Sequence, residues 1–521
     1  MRPRLFSAAR VHTFTSAAAG NALLTAGGRI REVGELTQLR GLHPDAEIVE
    51  LDDAVITPGL TDAHIHITEW ALARTQVQLG SAGAIDECLT IIAGAPRVGA
   101  WLQGRGWNPH QWGGTYPDRH QLDRVVADRP AAFQSHDMHA MWVNTRALEV
   151  AGITGQTPDP EGGRIVRDAQ GEPTGMLLEA AAQLIVAAMP RITETDIEDP
   201  VLDAQRQLHR YGITGIHSFP GVHLPEPDPL PVLAGLLERN QLRLRVLQHI
   251  AVDKLGDATR LGLRSGFGGD WLRIGGVKLF LDGALGSRTA WMREPYEDSS
   301  DVGVQVLTRT DFQEIVQRAA AAGIASVVHA IGDAAVAMAF EVLGAAPRLR
   351  TLPHRIEHVQ CFPADRAALL RNGVICSVQP CHLMTDWRAA DRHWGGRAAA
   401  TYAFRTLIEG GAILACGSDA PVEPADPRLG LYAAVARRDA QHEPEGGWHA
   451  EQCIGVREVL GGYTVGAAQA AGAQGMQGVL QSGAFADFAV WAQDPLACAP
   501  EQLPGLEIAA TVVNGEVVWE A

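Results

Sequence analysis

The chain has 521 residues, 46% of them hydrophobic and 20% charged, which supplies enough apolar surface for a sizeable core and argues against wholesale disorder. Its 43 Lys and Arg face 60 Asp and Glu, a formal net charge of −17, so nucleic acid and anionic membranes are poor candidates for partners. Seven cysteines with no CxxC pair suggest neither a disulfide framework nor a thiolate zinc site and fit a reducing cytoplasm.

At the N-terminus, Arg10 and His12 interrupt what would be the apolar stretch of a signal peptide. Residues 1–57 then alternate short β-patterned runs with turn residues, and 480–521 repeat that texture, so both ends are expected to join in one small β-sandwich. Between them, over 58–479, short apolar runs alternate with longer segments of helical period, the pattern of βα units around a parallel sheet. Eight strands are predicted, at 60–66, 213–218, 244–250, 274–281, 325–329, 354–358, 374–378 and 412–418. Eight is the number that closes a TIM-like (β/α)8 barrel. The segment 70–200 is too long for a loop and reads as an inserted α+β lobe. The longest uncharged run, 459–486, is broken by Gly and Gln and lacks the roughly 20 apolar residues of a membrane span.

The sharpest local signal is the stretch PGLTDAHIH at 58–66. Residues two apart on a strand share a face, so His64 and His66 project together from its C-terminal end, where barrel enzymes place their chemistry. Four further predicted strands carry groups suited to divalent metals: Lys278 lies on the fourth, His329 closes the fifth, His358 closes the sixth, and Asp419 follows the eighth. The stretch HRIEH at 354–358 matches a helix-borne metalloprotease pattern, but Pro353 and Pro363 leave little room for a helix and the spelling fits a strand.

These features resemble the amidohydrolase superfamily, specifically the family 3 branch that contains formamide deformylase-like metal-dependent hydrolases. The resemblance runs nearly end to end. It is carried by PGLTDAHIH (58–66), HDMHAMWVN (136–144), GEPTG (171–175), KLFLDGALGSRTA (278–290), HAIGD (329–333), RIEH (355–358), GSDAPVE (417–423) and ADF (486–488). It implies one or two divalent ions, with zinc favoured for a His/carboxylate set. His64 and His66 would hold the more buried ion, His329 and His358 the more exposed one, and Lys278 would bridge them as a carbamate. Asp419 would ligate the first ion and shuttle protons. A buried ammonium in a Val-Lys-Leu-Phe-Leu strand is costly, and conversion to an anion beside two dications removes that cost. Snorkelling to solvent or pairing with Asp282 is the structural alternative for Lys278.

The expected reaction is hydrolysis of a non-peptide C–N bond, in an amide, N-substituted formamide or cyclic amide, by attack of a metal-activated hydroxide. The alternatives are a deaminase or esterase on the same barrel, or a binding or regulatory barrel without catalysis. His136, Asp137, His139, Trp107 and Arg288 are candidates for substrate contacts, with Arg288 suited to a carboxylate. Trp101, Trp112 and Trp142 are weighed between an aromatic lid and packing. Asp333 and Glu357 are candidates to orient the metal ligands as hydrogen-bond acceptors. A small-molecule substrate is expected, with no nucleic-acid or membrane partner, and a homodimer is the candidate assembly.

Overall fold

The computed structural model describes residues 2–16, 20–96, 100–112, 115–135, 140–221, 228–297 and 299–521. Eight parallel strands follow one another in chain order around a nearly closed barrel: Leu60–Ile65, Ile213–Ser218, Arg245–Ala251, Leu272–Phe280, Ser326–Ala330, Arg355–His358, Ile375–Val378 and Leu414–Cys416. Every residue of Leu60–Ile65, Ile213–Ser218 and Arg355–His358 is buried. Strands covered on both faces are buried throughout, polar members such as Asp62, Arg355 and Glu357 included. Helices such as Pro229–Glu238, Arg309–Ala321 and Asp333–Ala345 connect them; the last presents Val336, Phe340 and Leu343 to the core. All eight strands lie where the sequence pattern predicts them.

Closure between the eighth and first strands runs through their C-terminal extensions. Asp419 N–H donates to His64 O at 2.7 Å, and His66 N–H donates to Ala420 O at 3.0 Å. Gly417 permits this approach, since a Cβ there would lie 2.4 Å from the His64 backbone nitrogen and 2.8 Å from Asp62 Oδ1. Asp62 completes the clasp by accepting from Ser418 N–H, Ser418 Oγ–H and His64 N–H.

Strands from both chain ends pair in a single eight-stranded sheet, ordered Glu516–Glu520, Ile508–Val513, Phe488–Trp491, Val55–Pro58, Arg4–Val11, Gly20–Ala26, Arg29–Gly34, with Glu47–Glu50 alongside Arg4–Val11. Its buried cluster includes Phe6, Leu23, Ile56, Phe488 and Val490, and the Phe6 and Phe488 rings meet edge to face at 4.9 Å. Residues 71–200 form a second compact unit. That unit is built on a six-stranded sheet with Trp107, Phe133 and Trp142 in its core. No helix among the described residues is long and apolar enough to cross a membrane.

Candidate metal centre

The C-terminal ends of the barrel strands bring His64, His66, Lys278, His329, His358 and Asp419 to one rim. His64 Nε2 and His66 Nε2 each lie 3.3 Å from Asp419 Oδ1. The His329 and His358 rings are 4.4 Å apart, and those of His64 and His358 5.1 Å. Donor atoms of His64, His358 and Asp419 all lie within 4.8 Å of one another, close enough to share one ion. Asp419 and His358 both have positive φ, 63° and 74°. Such backbone is unusual for non-glycine residues and clusters at functional sites.

Each imidazole is pinned through one nitrogen by an oxygen that can only accept. His64 Nδ1 donates to Glu357 Oε2 at 2.7 Å and His66 Nδ1 to Pro220 O at 2.7 Å. His329 Nε2 donates to Gly283 O at 3.0 Å, and His358 Nδ1 to Gln379 Oε1 at 2.8 Å. In a neutral ring the second nitrogen then carries the lone pair. Burial lowers His64 to about 4 and His329 to about 3, and takes His358 well below its ordinary value. Burial alone would raise Asp419, but the facing imidazoles outweigh it and hold the carboxyl well below the usual range. The lone pair of His64 therefore faces a carboxylate oxygen with no hydrogen-bond partner for Nε2, while His66, though buried, is raised above its ordinary value by the Asp419 carboxylate it faces. Neutral His64, His329 and His358 beside an ionised carboxylate are the protonation state that a divalent ion requires, and a proton on His66 would be given up as the ion binds, so the residues present fit such an ion.

Lys278 is buried, with Nζ 4.7 Å from the Phe219 ring centroid and 4.8 Å from that of Phe280. Burial lowers it to about 8. The alternative partner Asp282 instead accepts from the backbone N–H groups of Trp291, Ile331 and Gly332, and burial raises it to about 7. Glu357, completely buried, is gripped by Arg355, which also donates to Ser377 Oγ and Ala63 O. The carboxylate that orients His64 is thus itself held from behind.

Other residues singled out from the sequence lie elsewhere. Asp333 accepts from the backbone of Arg293 at the start of its helix rather than from an imidazole; Gly283 O is the acceptor behind His329, with Asp282 3.6 Å from the same nitrogen. Trp107 is completely buried in the core of its own unit, where its Nε1–H donates to Phe133 O, a packing role in place of the expected substrate contact. Trp142 is equally buried and bonded to Asp118 O. Arg288 is exposed on the loop after the fourth strand. His136, Asp137 and His139 fall outside the described residues. His354 and His358 do not converge as in a helix-borne protease site, because His354 turns to Ser326 N–H and Pro347 O.

Two contributors escape the sequence reading. Phe219, directly after the second strand, stacks on His64 at 3.9 Å and 13° and underlies Lys278. His382, four residues past the seventh strand, places Nε2 3.7 Å from Asp419 Oδ2. Their position just beyond a barrel strand's C-terminal end is the only signal that marked them.

A (β/α)8 barrel whose rim gathers buried imidazoles around a carboxylate defines the class of metal-dependent hydrolases. Comparison with known proteins specifies it: the amidohydrolase family matches residues 47–519, and the chain belongs to that family. It is 34% identical over 509 residues to "Putative amidohydrolase YtcJ" of Bacillus subtilis, covering 95% of this chain and 94% of that protein. It is 27% identical to the N-substituted formamide deformylase of Arthrobacter pascens, covering 96% and 95%. Among solved structures, an uncharacterized metal-dependent hydrolase from Pyrococcus horikoshii superposes with a TM-score of 0.80 at 26% identity, covering 96% of this chain and 99% of the other. The protein is a hydrolase of the metal-dependent kind.

Proposed function

We propose that this hydrolase cleaves a non-peptide carbon–nitrogen bond, in an amide, N-substituted formamide or cyclic amide. The observation that carries the reading is the convergence of imidazole lone pairs, each fixed by an oxygen acceptor behind it, on the Asp419 carboxylate. His64, His66 and Asp419 would hold one divalent ion and His329 and His358 a second, with zinc the favoured metal. An ion so held makes water acidic enough to be a nucleophile near neutral pH and polarises a carbonyl. The C–N assignment is supported by the similarity to the formamide deformylase.

The chain's own residues then divide the work. Glu357, Pro220, Gly283 and Gln379 fix the ring planes, so no reorientation is needed when substrate arrives. Asp419 holds Oδ1 toward His64 and His66 and Oδ2 toward His382. That oxygen accepts the proton lost by the attacking water and returns it to the departing nitrogen, which leaves as a neutral amine. Lys278, pulled down to about 8, is about one tenth neutral amine at pH 7. That is the form that would add carbon dioxide, releasing one proton to solvent, to give a carbamate whose negative charge suits a position between two cations. Seven free thiols fit a cytoplasmic setting.

The test is a zinc-replete preparation screened against N-formyl amines, N-acyl amino acids, hydantoins and aminated heterocycles. Release of an amine with a carboxylate or carbamate from one of the first three groups is the expected result. Ammonia release from the heterocycles alone would establish a deaminase instead, and hydrolysis confined to esters an esterase. Substoichiometric metal after replete expression would favour a non-catalytic barrel.

A further inference from the structure

The metal reading leaves one buried imidazole at the rim unused. His382 ends the short turn Pro380–His382 after the seventh strand. Cys381 Sγ, 3.6 Å from Ser418 O, pins that turn against the segment that carries Asp419. On the other side, Thr385 Oγ1 lies 3.1 Å from His382 O and 2.6 Å from Glu423 Oε1. The backbone of the turn is therefore held from both directions, and His382 is only 7% exposed.

His382 Nε2 has no hydrogen-bond partner in this setting. Asp419 Oδ2 lies 3.7 Å from it, beyond hydrogen-bond length. Buried polar atoms without partners are rare and call for an explanation. His382 stands apart from the proposed ligands: its ring centroid is 6.2 Å from that of His358, and its Nε2 faces Asp419 Oδ2 rather than the Oδ1 that His64 and His66 face. The two oxygens of Asp419 thus face different neighbours, Oδ1 the imidazoles of the metal centre and Oδ2 the unpaired nitrogen of His382. A group that exchanges a proton with Oδ2 must sit within reach of His382.

We propose that His382 is a further catalytic residue, whose Nε2–H donates a hydrogen bond to the acyl oxygen of the substrate as that oxygen takes up negative charge. This rests on the acyl-transfer reading above. No proton leaves the ring; the hydrogen bond strengthens as charge develops and is lost when the carboxylate product departs. Donors placed in advance at such an oxygen are among the largest contributions to acyl transfer.

The experiment uses full-length, zinc-loaded protein with His382→Phe, which keeps a ring but no donor, and His382→Gln, whose amide restores an N–H at similar reach. Metal content, kcat and KM on a substrate that the wild type cleaves, and affinity for methylphosphonate, a tetrahedral oxyanion probe, are measured together. His382→Phe is expected to keep its metal and to lose about 10²–10³-fold in kcat with KM changed far less. It should bind methylphosphonate at least about tenfold more weakly, whereas His382→Gln recovers most of both quantities. The proposal is overturned by wild-type kcat and probe affinity in His382→Phe, by loss of metal in that variant, or by a wild type that does not bind methylphosphonate. Should His382→Phe fail to fold, His382→Asn against His382→Gln supplies the same contrast in donor reach. Should the wild type cleave none of the carbon–nitrogen substrates, the acyl-transfer reading fails by itself, and the probe affinities still decide the role of His382.

Discussion

Two groups of histidines in this barrel are equally buried and differ in what their ring nitrogens meet. In the barrel wall and interior, His249 Nδ1 accepts from Gly276 N–H, His217 Nδ1 from Arg355, and His354 Nδ1 from Ser326 N–H. Their lone pairs are spent on protein donors. At the C-terminal rim the order is reversed: Glu357, Pro220, Gly283 and Gln379 offer oxygens that take the ring N–H, which leaves the lone pair facing inward. Burial depresses proton affinity in the wall histidines and in His64, His329 and His358 of the rim alike, whereas Asp419 raises His66, so low basicity does not distinguish a ligand. Whether the lone-pair nitrogen is met by a protein donor does.

The strongest way to break this comparison is one substitution from each group. His64→Asn should abolish metal uptake and turnover together, measured by elemental analysis and by assay of the same preparation. His354→Gln, which unpairs Ser326 N–H, should cost about 1–3 kcal/mol of stability and leave the metal in place. Equal metal loss in both variants would show that burial, not nitrogen orientation, makes the site. Asp419→Asn comes next, with kcat expected to fall by about 10²–10⁴-fold while the denaturation midpoint moves little; a near wild-type rate would remove Asp419 as proton carrier. Glu357→Gln keeps the shape but weakens the acceptor behind His64 and should loosen the metal by about 10–100-fold, read by competition with a chelator. For Lys278→Ala, activity should vanish and return in part on addition of short carboxylic acids, which supply the bridging oxygens. An absence of rescue in a folded, metal-bound variant would count against the carbamate.

The barrel was legible in the sequence because two simple rules apply to it. Strand-length runs bounded by turn residues marked the eight strands, and the groups at or near their C-terminal ends, His64, His66, Lys278, His329, His358 and Asp419, stood out by residue type and by the resemblance to the amidohydrolases. What was not legible depends on loop paths that no periodicity reports. Asp282 rather than Asp333 stands beside His329, because the chain turns immediately after the fourth strand and aims Asp282 at the fifth. Phe219 gives no sign in the sequence that its ring will stack on His64. Tryptophan spacing could not separate a lid from a core, and Trp107 with its Nε1–H bonded to Phe133 O is core.

The finest discrimination between the two groups is their response to acid. His209 lies far from the rim chemistry, with Nε2 bonded to Arg243 O, and burial lowers it to about 4; His64 is lowered to the same value. An unfolded histidine titrates near 6.5, so between about 6.5 and 4 the unfolded chain binds more protons than the folded one. The stability each neutral ring contributes is present above about 6.5 and is lost as pH falls toward 4, by up to about 3 kcal/mol at 1.36 kcal/mol per unit. Asp62 and Asp282, both raised to about 7, act in the opposite sense, favouring the fold at low pH and losing that contribution as pH rises. The measurement must therefore be a difference: unfolding free energy of the wild type minus that of His209→Gln, and separately minus that of His64→Gln, from pH 7 to 4. In metal-free protein both differences should shrink in parallel on acidification. Adding zinc should enlarge the His64 difference at pH 7 and steepen its decline, because protons and metal compete for the same lone pair, while leaving the His209 difference unchanged. If zinc moved both equally, the lone pair of His64 would have no special claim on the ion.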